Sequence, residues 1–127
     1  MTRSEKSIQN EGLVNLSAQP AALYYRNNTG QAWQGTRLLA SVGQFVKVEP
    51  NMVILRNARP LNFGVSGSGD VHGVQQGCAI SVEFKTVSGR QSDQQKLFER
   101  AWTLAGGIYV LARSPESVVQ QVREALN

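Results

Sequence analysis

A run of five apolar residues, IYVLA at 108–112, lies between two stretches of helical periodicity, and this pattern restricts the fold most. A short, continuously apolar strand is typical of a strand whose two faces are both covered. The stretch before it predicts a helix over 92–104 that ends at Gly106–Gly107. The stretch after it predicts a closing helix with Ser114 as N-cap and Pro115 as its first residue. The chain is therefore predicted to pack helices against a sheet.

The rest of the chain extends this pattern to an α/β fold. We expect the order helix, several strands, helix, strand, helix, with helices flanking a central mixed sheet. The apolar side of the 92–104 helix is predicted to consist of Leu97, Phe98, Ala101 and Trp102. The other predicted elements are an N-terminal helix capped by Ser4, strands over 21–27, 44–49, 52–57 and 78–87, an extended segment over 60–67 and a Gly/Ser-rich loop over 66–73.

The composition fits one folded domain over residues 1–127. Apolar residues make up 41% of the 127 positions, which is enough to bury a modest core. No apolar run approaches the roughly 20 residues that span a bilayer. The N-terminal stretch MTRSEKSIQN also lacks the apolar centre of a secretory signal. We therefore expect a cytoplasmic protein without a membrane partner.

Single residues of rare types limit the chemistry further. Cys78 is the only cysteine and His72 the only histidine, so an internal disulfide is impossible and a zinc site is not expected. Cys78 is predicted to be a small core residue at the start of a strand, and His72 to be an exposed loop residue. Trp33 and Trp102 are predicted to lie in the core or in an interface. The formal charge of +4 permits a polyanionic partner without requiring one.

The predicted strand CAISVEFKTV places two opposite charges on one face. Because strand side chains alternate, Ile80, Val82 and Phe84 point one way, while Glu83 and Lys85 point the other. In the simplest interpretation these charges form a solvated ion pair on a half-exposed strand, which contributes little to stability. The choice between this interpretation and a functional one depends on the neighbouring residues.

Asp70 is the neighbour that favours a functional interpretation. It lies thirteen residues before Glu83, and a hairpin between them would bring the two carboxylates together. Two carboxylates at one point repel each other unless a cation lies between them, and hard oxygen ligands favour Mg²⁺ or Mn²⁺. Lys85 faces the same way and would stabilise charge that develops on a phosphate. These groups predict metal-dependent phosphodiester hydrolysis. The alternative for Asp70 is a turn aspartate that bonds its own backbone.

Longer stretches around these residues carry a recognisable pattern. They are YYRNNTG (24–30), FGVSGSGDVHG (63–73) and the chain from ISVEFK to SVVQQV (80–122). The most specific part is Asp…Glu-x-Lys followed by Gly-Arg-x-Ser-x-x-Gln-x-x-Phe (89–98) and Gly-Gly-x-Tyr-Val (106–110). On these residues the chain resembles the VRR-NUC family of PD-(D/E)XK nucleases, in the short stand-alone form found in phages and bacteria. The resemblance is weakest over 31–59.

The resemblance implies a fold and a role for each matching residue. The implied PD-(D/E)XK core is a central mixed sheet flanked by helices in the order α-β-β-β-α-β, here with an added C-terminal helix. Asp70 and Glu83 would bind Mg²⁺ or Mn²⁺, with the backbone carbonyl of Phe84 as a further ligand. Lys85 would be the catalytic lysine. The family's proline before the aspartate is absent, because Gly69 precedes Asp70.

Two further residues match the family but also have a structural interpretation. Gln95 matches the glutamine that faces the catalytic site, yet Ser92 to Gln95 also has the pattern of a capping box. Glu5 lies on the first helix, where such nucleases often carry an acidic residue near the metal. An acidic residue also stabilises a helix N-terminus without any metal. Both alternatives stay open from the sequence.

Basic and amide side chains near the predicted site are candidates for contacts with DNA phosphates. Arg90 and Lys96 flank the site in the sequence. Arg26 and Asn27 lie at a strand end, where roles in a turn are an equal alternative.

The sequence as a whole predicts a metal-dependent DNA endonuclease in a bacterial or phage-infected cell. Its substrate would be duplex DNA or a branched form such as a Holliday junction, recognised by structure because the chain has no separate sequence-reading module. A homodimer with two-fold symmetry would place two sites on two strands. The alternatives are a nucleic-acid-binding module of the same fold that does not cut, and a structural or interaction protein.

Overall fold

The computed structural model describes residues 2–38, 43, 45, 47 and 49–127. Its elements in chain order are α1 (Glu5–Ser17), β1 (Ala22–Arg26), β2 (Gly30–Leu38), β3 (Ile54–Phe63), β4 (Val71–Gln75), β5 (Cys78–Phe84), α2 (Asp93–Leu104), β6 (Ile108–Ala112) and α3 (Pro115–Leu126). The chain divides into two compact units: unit 1 is Met1–Thr29 with Gly64–Asn127, and unit 2 is Gly30–Phe63. Unit 2 is thus inserted in the sequence of unit 1, between β1 and β4.

Unit 1 is a mixed sheet with helices on both faces. The strand order is β1-β4-β5-β6, in which β4 pairs antiparallel with both β1 and β5, and β6 runs parallel to β5. Helices α1 and α3 pack together on one face, and α2 lies on the other. The element order in unit 1 is helix, three strands, helix, strand, helix. The predicted α/β class with a mixed sheet is therefore confirmed.

The core of unit 1 lies between the sheet and the α1–α3 pair. Phe84 from β5, Leu16 from α1 and Val118 from α3 are among its fully buried side chains. Burial of each such side chain contributes about 1.5–3 kcal/mol. Helix α1 approaches the Phe84 ring closely because Gly12 has no side chain; a Cβ there would lie 2.6 Å from Phe84 Cζ. This packing fixes α1 against β5.

Most of the predicted elements are confirmed. The Ser4 side chain accepts the first-turn N–H of α1, and Ser114 does the same for α3, which starts at Pro115. β6 lies between α2 and α3, as its apolar run predicts. It is nevertheless the edge strand of the sheet, and only Val110 and Ala112 of its residues are buried.

Strand β4 is a correction to the sequence analysis. The segment 66–73 is not a loop throughout, as predicted, because β4 begins at Val71. A two-residue turn, Gln76–Gly77, joins β4 to β5 with both residues at positive φ, as in a tight hairpin. Cys78 begins β5 as predicted, but it is exposed beside this turn, so its predicted place in the core is wrong.

Unit 2 is a two-stranded antiparallel ribbon of β2 and β3. The segments predicted over 52–57 and 60–67 fall partly within β3, whereas β2 is not predicted by the sequence analysis. The strand predicted over 44–49 lies largely outside the described residues. Trp33 on β2 is 68% exposed, so it is not a core residue. Among the helices of the described ranges, none is long and apolar enough to cross a membrane.

Candidate metal centre

Glu83 lies on the α2 face of the sheet and is almost completely buried, with 1% of its surface exposed. Its neighbours Val82 and Phe84 lie in the core on the opposite face, as strand alternation predicts. Lys85 is the residue after Phe84, and its side chain is 13% exposed. The interpretation of Glu83 and Lys85 as a solvated surface pair is therefore wrong. Burying such charges costs free energy unless compensating partners surround them.

Three carboxylates converge at Glu83. One carboxylate oxygen from each of Glu5, Asp70 and Glu83 lies within 4.8 Å of the other two. The approach of Asp70 follows from the β4–β5 hairpin, because Val71 pairs with Val82 and Asp70 directly precedes this pair. Glu5 comes from the first turn of α1. The fold thus brings together the three acidic residues that the sequence singled out.

Asp70 lies at the end of the loop before β4 and is held by backbone N–H groups of β5 and of the residue that follows β1. Asp70 Oδ2 accepts a hydrogen bond from the Phe84 N–H at 2.8 Å, and the Asp70 carbonyl accepts one from the Asn27 N–H at 2.9 Å. The Asn27 side-chain amide also donates to the Gly69 carbonyl at 2.9 Å. Gly69 lies directly against β5, where a Cβ would be 2.8 Å from the Val82 carbonyl oxygen. A residue without a side chain is therefore required immediately before Asp70.

Lys85 and Gln95 both approach one oxygen of Glu83. Lys85 Nζ lies 3.7 Å from Glu83 Oε1, and Gln95 Nε2 donates to the same oxygen at 2.8 Å. Glu83 Oε2 is buried, and as an ionised carboxylate oxygen it accepts no hydrogen bond from a described residue; a proton on Glu83 would join it to Asp70. A buried polar atom without a partner costs on the order of 1–3 kcal/mol. A cation that coordinates Oε2 would remove this cost.

The concentration of negative charge perturbs two of the carboxyl groups. Burial raises the pKa of Glu83 to about 8, the charges of Asp70 and Glu5 add to the rise, and Lys85 opposes it. Burial also raises the pKa of Asp70, although the hydrogen bond from the Phe84 N–H favours its ionised form. At pH 7 the carboxyl cluster alone therefore retains a proton. A divalent cation would replace that proton and relieve the repulsion.

Gln95 makes both contacts that the sequence left as alternatives. Its Oε1 accepts the Ser92 N–H at 2.8 Å, and its own N–H donates to Ser92 Oγ at 3.1 Å, which completes a capping box. Its Nε2 meanwhile donates to Glu83 Oε1. Because the cap engages the amide oxygen, the amide presents its nitrogen to the carboxylate. The helix cap thus orients Gln95 in the site.

His72 lies on β4 and not in an exposed loop, so that prediction is wrong. Its ring is half-buried against Trp102 and Phe98, at centroid distances of 5.2 and 6.0 Å. Burial lowers the pKa of His72, so the ring is neutral at pH 7. Of the predicted apolar side of α2, Phe98 and Trp102 pack against the His72 ring. Leu97 and Ala101, which were predicted on the same side, are exposed.

The four candidates for phosphate contacts differ in their surroundings. Arg90, before α2, and Lys96, on α2, are both exposed. Arg26 is exposed at the end of β1 and donates to the Asn10 side chain. Asn27 is half-buried, and its side-chain amide donates hydrogen bonds to Ser68 Oγ and to the Gly69 carbonyl in the loop before β4. Asn27 thus has a structural role, and contact of all four with DNA stays a prediction.

Other side chains that support the site were not found from the sequence. Arg113, directly after β6, donates to the carbonyls of Thr86 and Gly89, each at 2.7 Å, and so holds the loop that follows β5. Gln91 donates to the Tyr109 hydroxyl at 3.1 Å. These partners come from separate parts of the chain, and no linear motif reveals such a pair.

The donor set consists of carboxylate oxygens, which are the ligands that Mg²⁺ and Mn²⁺ prefer. The clustered carboxylates fit such an ion, and so does the buried Glu83 Oε2, for which the described residues provide no hydrogen-bond donor. Coordination through the Phe84 carbonyl stays a prediction. Comparison with protein-family models found no match to the chain, and a search of curated proteins found none either. Function is therefore inferred from the residues of the site.

Proposed function

We propose that this chain is a metal-dependent DNA endonuclease with a PD-(D/E)XK core, similar to the VRR-NUC family. One observation carries the proposal: carboxylate oxygens of Glu5, Asp70 and Glu83 lie within 4.8 Å of one another, and the buried Glu83 Oε2 accepts no hydrogen bond from a described residue. The order helix, three strands, helix, strand in unit 1 agrees with the core of that class. Lys85 lies beside the cluster, where the Glu-x-Lys pattern of such nucleases places it.

Glu5, Asp70 and Glu83 would hold a Mg²⁺ or Mn²⁺ ion. When bound, such an ion polarises a phosphate and makes a water molecule more acidic. The contacts of Glu83 support this assignment, because Gln95 and Lys85 both approach Oε1 and leave Oε2 as the ligand atom. Asp70 is held in place by the Phe84 N–H, so little side-chain freedom is lost when it binds the ion.

Lys85 would stabilise the negative charge that develops on the phosphate oxygens. Its Nζ lies 3.7 Å from Glu83 Oε1, which is longer than a hydrogen bond, so the ammonium group remains available to a substrate oxygen. The Lys85 side chain is only 13% exposed, and a charge in such a position acts with less screening by water.

The substrate in this proposal is duplex or branched DNA. The net charge of +4 supports a polyanionic substrate. A homodimer with two-fold symmetry would allow coordinated cutting of two strands. The dimer stays a prediction, and sedimentation equilibrium of the purified chain would test it.

Cleavage of a substrate panel tests the proposal directly. Supercoiled plasmid and labelled duplex, flap, fork and four-way junction DNA are each incubated with Mg²⁺ or Mn²⁺. We expect cleavage by the wild type and a loss of about a hundredfold or more for Lys85→Ala, the scale of removing one transition-state charge. Arg123→Ala is the matched control, because Arg123 lies on α3 and binds Gln19, away from the carboxylates.

Each other outcome identifies a different class of protein. DNA binding without cleavage by either metal would indicate the non-catalytic binding module. Calorimetry that detects no Mg²⁺ or Mn²⁺ site would indicate a structural or interaction protein. An unchanged rate for Lys85→Ala would remove Lys85 from the mechanism.

A further inference from the structure

We propose that unit 2 is a DNA-binding arm, whose residues Arg56 and Arg59 hold a phosphate on one face of the β2–β3 ribbon. The inference rests on the proposed function for the identity of the polyanion, and it extends that function to residues of unit 2. The sequence analysis placed its candidate phosphate contacts entirely outside this unit.

Unit 2 carries most of the net charge of the chain. Residues 30–63 contain four basic side chains, Arg37, Lys47, Arg56 and Arg59, against the single acidic Glu49, which gives a net charge of +3. The rest of the chain contains the other nine basic and eight acidic residues, a net charge of +1. The positive charge is therefore concentrated in about a quarter of the sequence, as expected for an electrostatic footprint on nucleic acid.

The ribbon presents its surface to solvent and not to a core of its own. In the described part of unit 2 no side chain is fully buried, and along β3 only Ile54 and Leu55 are even half-buried. A lone two-stranded ribbon is marginally stable in water by itself, so a partner that covers it contributes to its order. The nine residues of β2 extend over about 30 Å, long enough to follow a groove.

A β-bulge brings the two arginines onto the same face. Gln34 pairs with Arg59 and Thr36 pairs with Arg56, so a step of two residues on β2 matches a step of three on β3. In a regular strand, residues three apart point to opposite faces. The extra residue of the bulge lies at Asn57, which has a φ of +53°. Because of this extra residue, Arg56 and Arg59 lie on the same face of the ribbon as Thr36 and Gln34.

The two arginines line a concave pocket without a counter-charge. The pocket has a volume of about 370 Å³ and is lined by Gln34, Gly35, Thr36, Arg56, Asn57 and Arg59. None of these six residues is acidic. Arg59 Nε donates to Gln34 Oε1 at 3.3 Å, while the Arg56 guanidinium makes no hydrogen bond or ion pair with any described residue. A planar guanidinium group can donate two parallel hydrogen bonds to two oxygens of one phosphate. The pocket therefore suits a phosphate of the DNA backbone.

The shape of the ribbon selects duplex DNA among polyanions. The major groove of B-DNA admits a two-stranded β-ribbon, whereas the deep, narrow major groove of A-form RNA does not. An acidic protein surface would also attract the arginines, but it offers no groove that matches the ribbon.

Binding in EDTA tests the arm separately from cleavage. Fluorescence anisotropy measures the affinity for a short DNA duplex over a range of NaCl concentrations, for the wild type, Arg56→Gln, Arg59→Gln and the double variant. Because the two arginines share one phosphate, the double variant should reduce the magnitude of the slope of log K against log[salt] by about 0.9, and each single variant by no more than this. Arg123→Gln, which removes one exposed charge from unit 1, should keep the wild-type slope. Circular dichroism confirms that each variant is folded.

The result separates the arm from the nuclease proposal. A double variant with the wild-type slope and affinity would overturn the arm, and so would equal binding of duplex RNA or a matching loss in Arg123→Gln. If one of these outcomes is found and the wild type nevertheless cuts DNA, the nuclease proposal stands without the arm. If the double variant binds less well while the wild type cuts nothing with either metal, the arm stands and the nuclease proposal fails.

Discussion

Replacing Glu83 with glutamine should stabilise the metal-free chain while removing its metal site. The pKa of Glu83 rises from 4.5 to about 8 on folding, because burial and the neighbouring carboxylates oppose its ionised form. Between these pH values the folded chain keeps a proton that the unfolded chain has released, so the free energy of unfolding falls as the pH rises. Glutamine has nearly the same shape and does not ionise, so Glu83→Gln removes this loss.

The size of the gain follows from the same pKa values. Each pKa unit corresponds to about 1.4 kcal/mol. A pH of 7 is two and a half units above the ordinary pKa of 4.5. At this pH the free energy of unfolding of Glu83→Gln should therefore exceed that of the wild type by about 3 kcal/mol. The whole interval to about 8 gives on the order of 5 kcal/mol above that pH, and near pH 4 the gain should vanish.

Urea denaturation in EDTA at several pH values measures this gain. Glu124→Gln is the matched control, because Glu124 is exposed on α3 and should show no comparable pH dependence. Adding Mg²⁺ should reverse the order of stability, since a metal that binds only the folded wild type stabilises that chain alone. A gain that is the same at every pH, or a variant less stable than the wild type at pH 8, would refute the electrostatic account of the site.

Two further predictions concern the same residues. Calorimetric titration with Mn²⁺ at pH 7, in two buffers of different ionisation enthalpy, should show release of about one proton per metal ion, because Glu83 is protonated before binding; a heat that is independent of the buffer would contradict the raised pKa. Gln95→Glu should keep the capping box but replace the N–H donor to Glu83 with a fourth carboxylate, so cleavage should fall at least about tenfold and the metal-free chain should unfold at a lower temperature; wild-type cleavage by this variant would make Gln95 a cap alone.

The helices and the central strand were predictable because their signals are local. Ser92 and Ser114 cap the last two helices with their own side chains, and the alternation around Glu83 depends only on strand geometry. Strand β4 was missed because the turn Gln76–Gly77 lacks the usual Asn or Asp before its glycine, and because the glycines before Asp70 favour a loop assignment.

The burial of the site was not predictable in the same way. Glu83 is buried because α2 covers its face of the sheet, and packing of a helix over a strand is a long-range event. The contact of Arg113 with the loop after β5 likewise joins distant parts of the chain. The two roles of Gln95 illustrate the limit best: the sequence predicts each contact separately, and only the fold allows both at once.

The capping box of α2 has a mechanical consequence for the carboxylates. Because one amide closes the first turn of the helix and also reaches Glu83, the order of that turn and the position of the acid depend on each other. Fraying at Ser92 would free the amide to rotate and turn its oxygen toward a negative charge. An ion that immobilises Glu83 would, in return, keep the first turn of α2 helical.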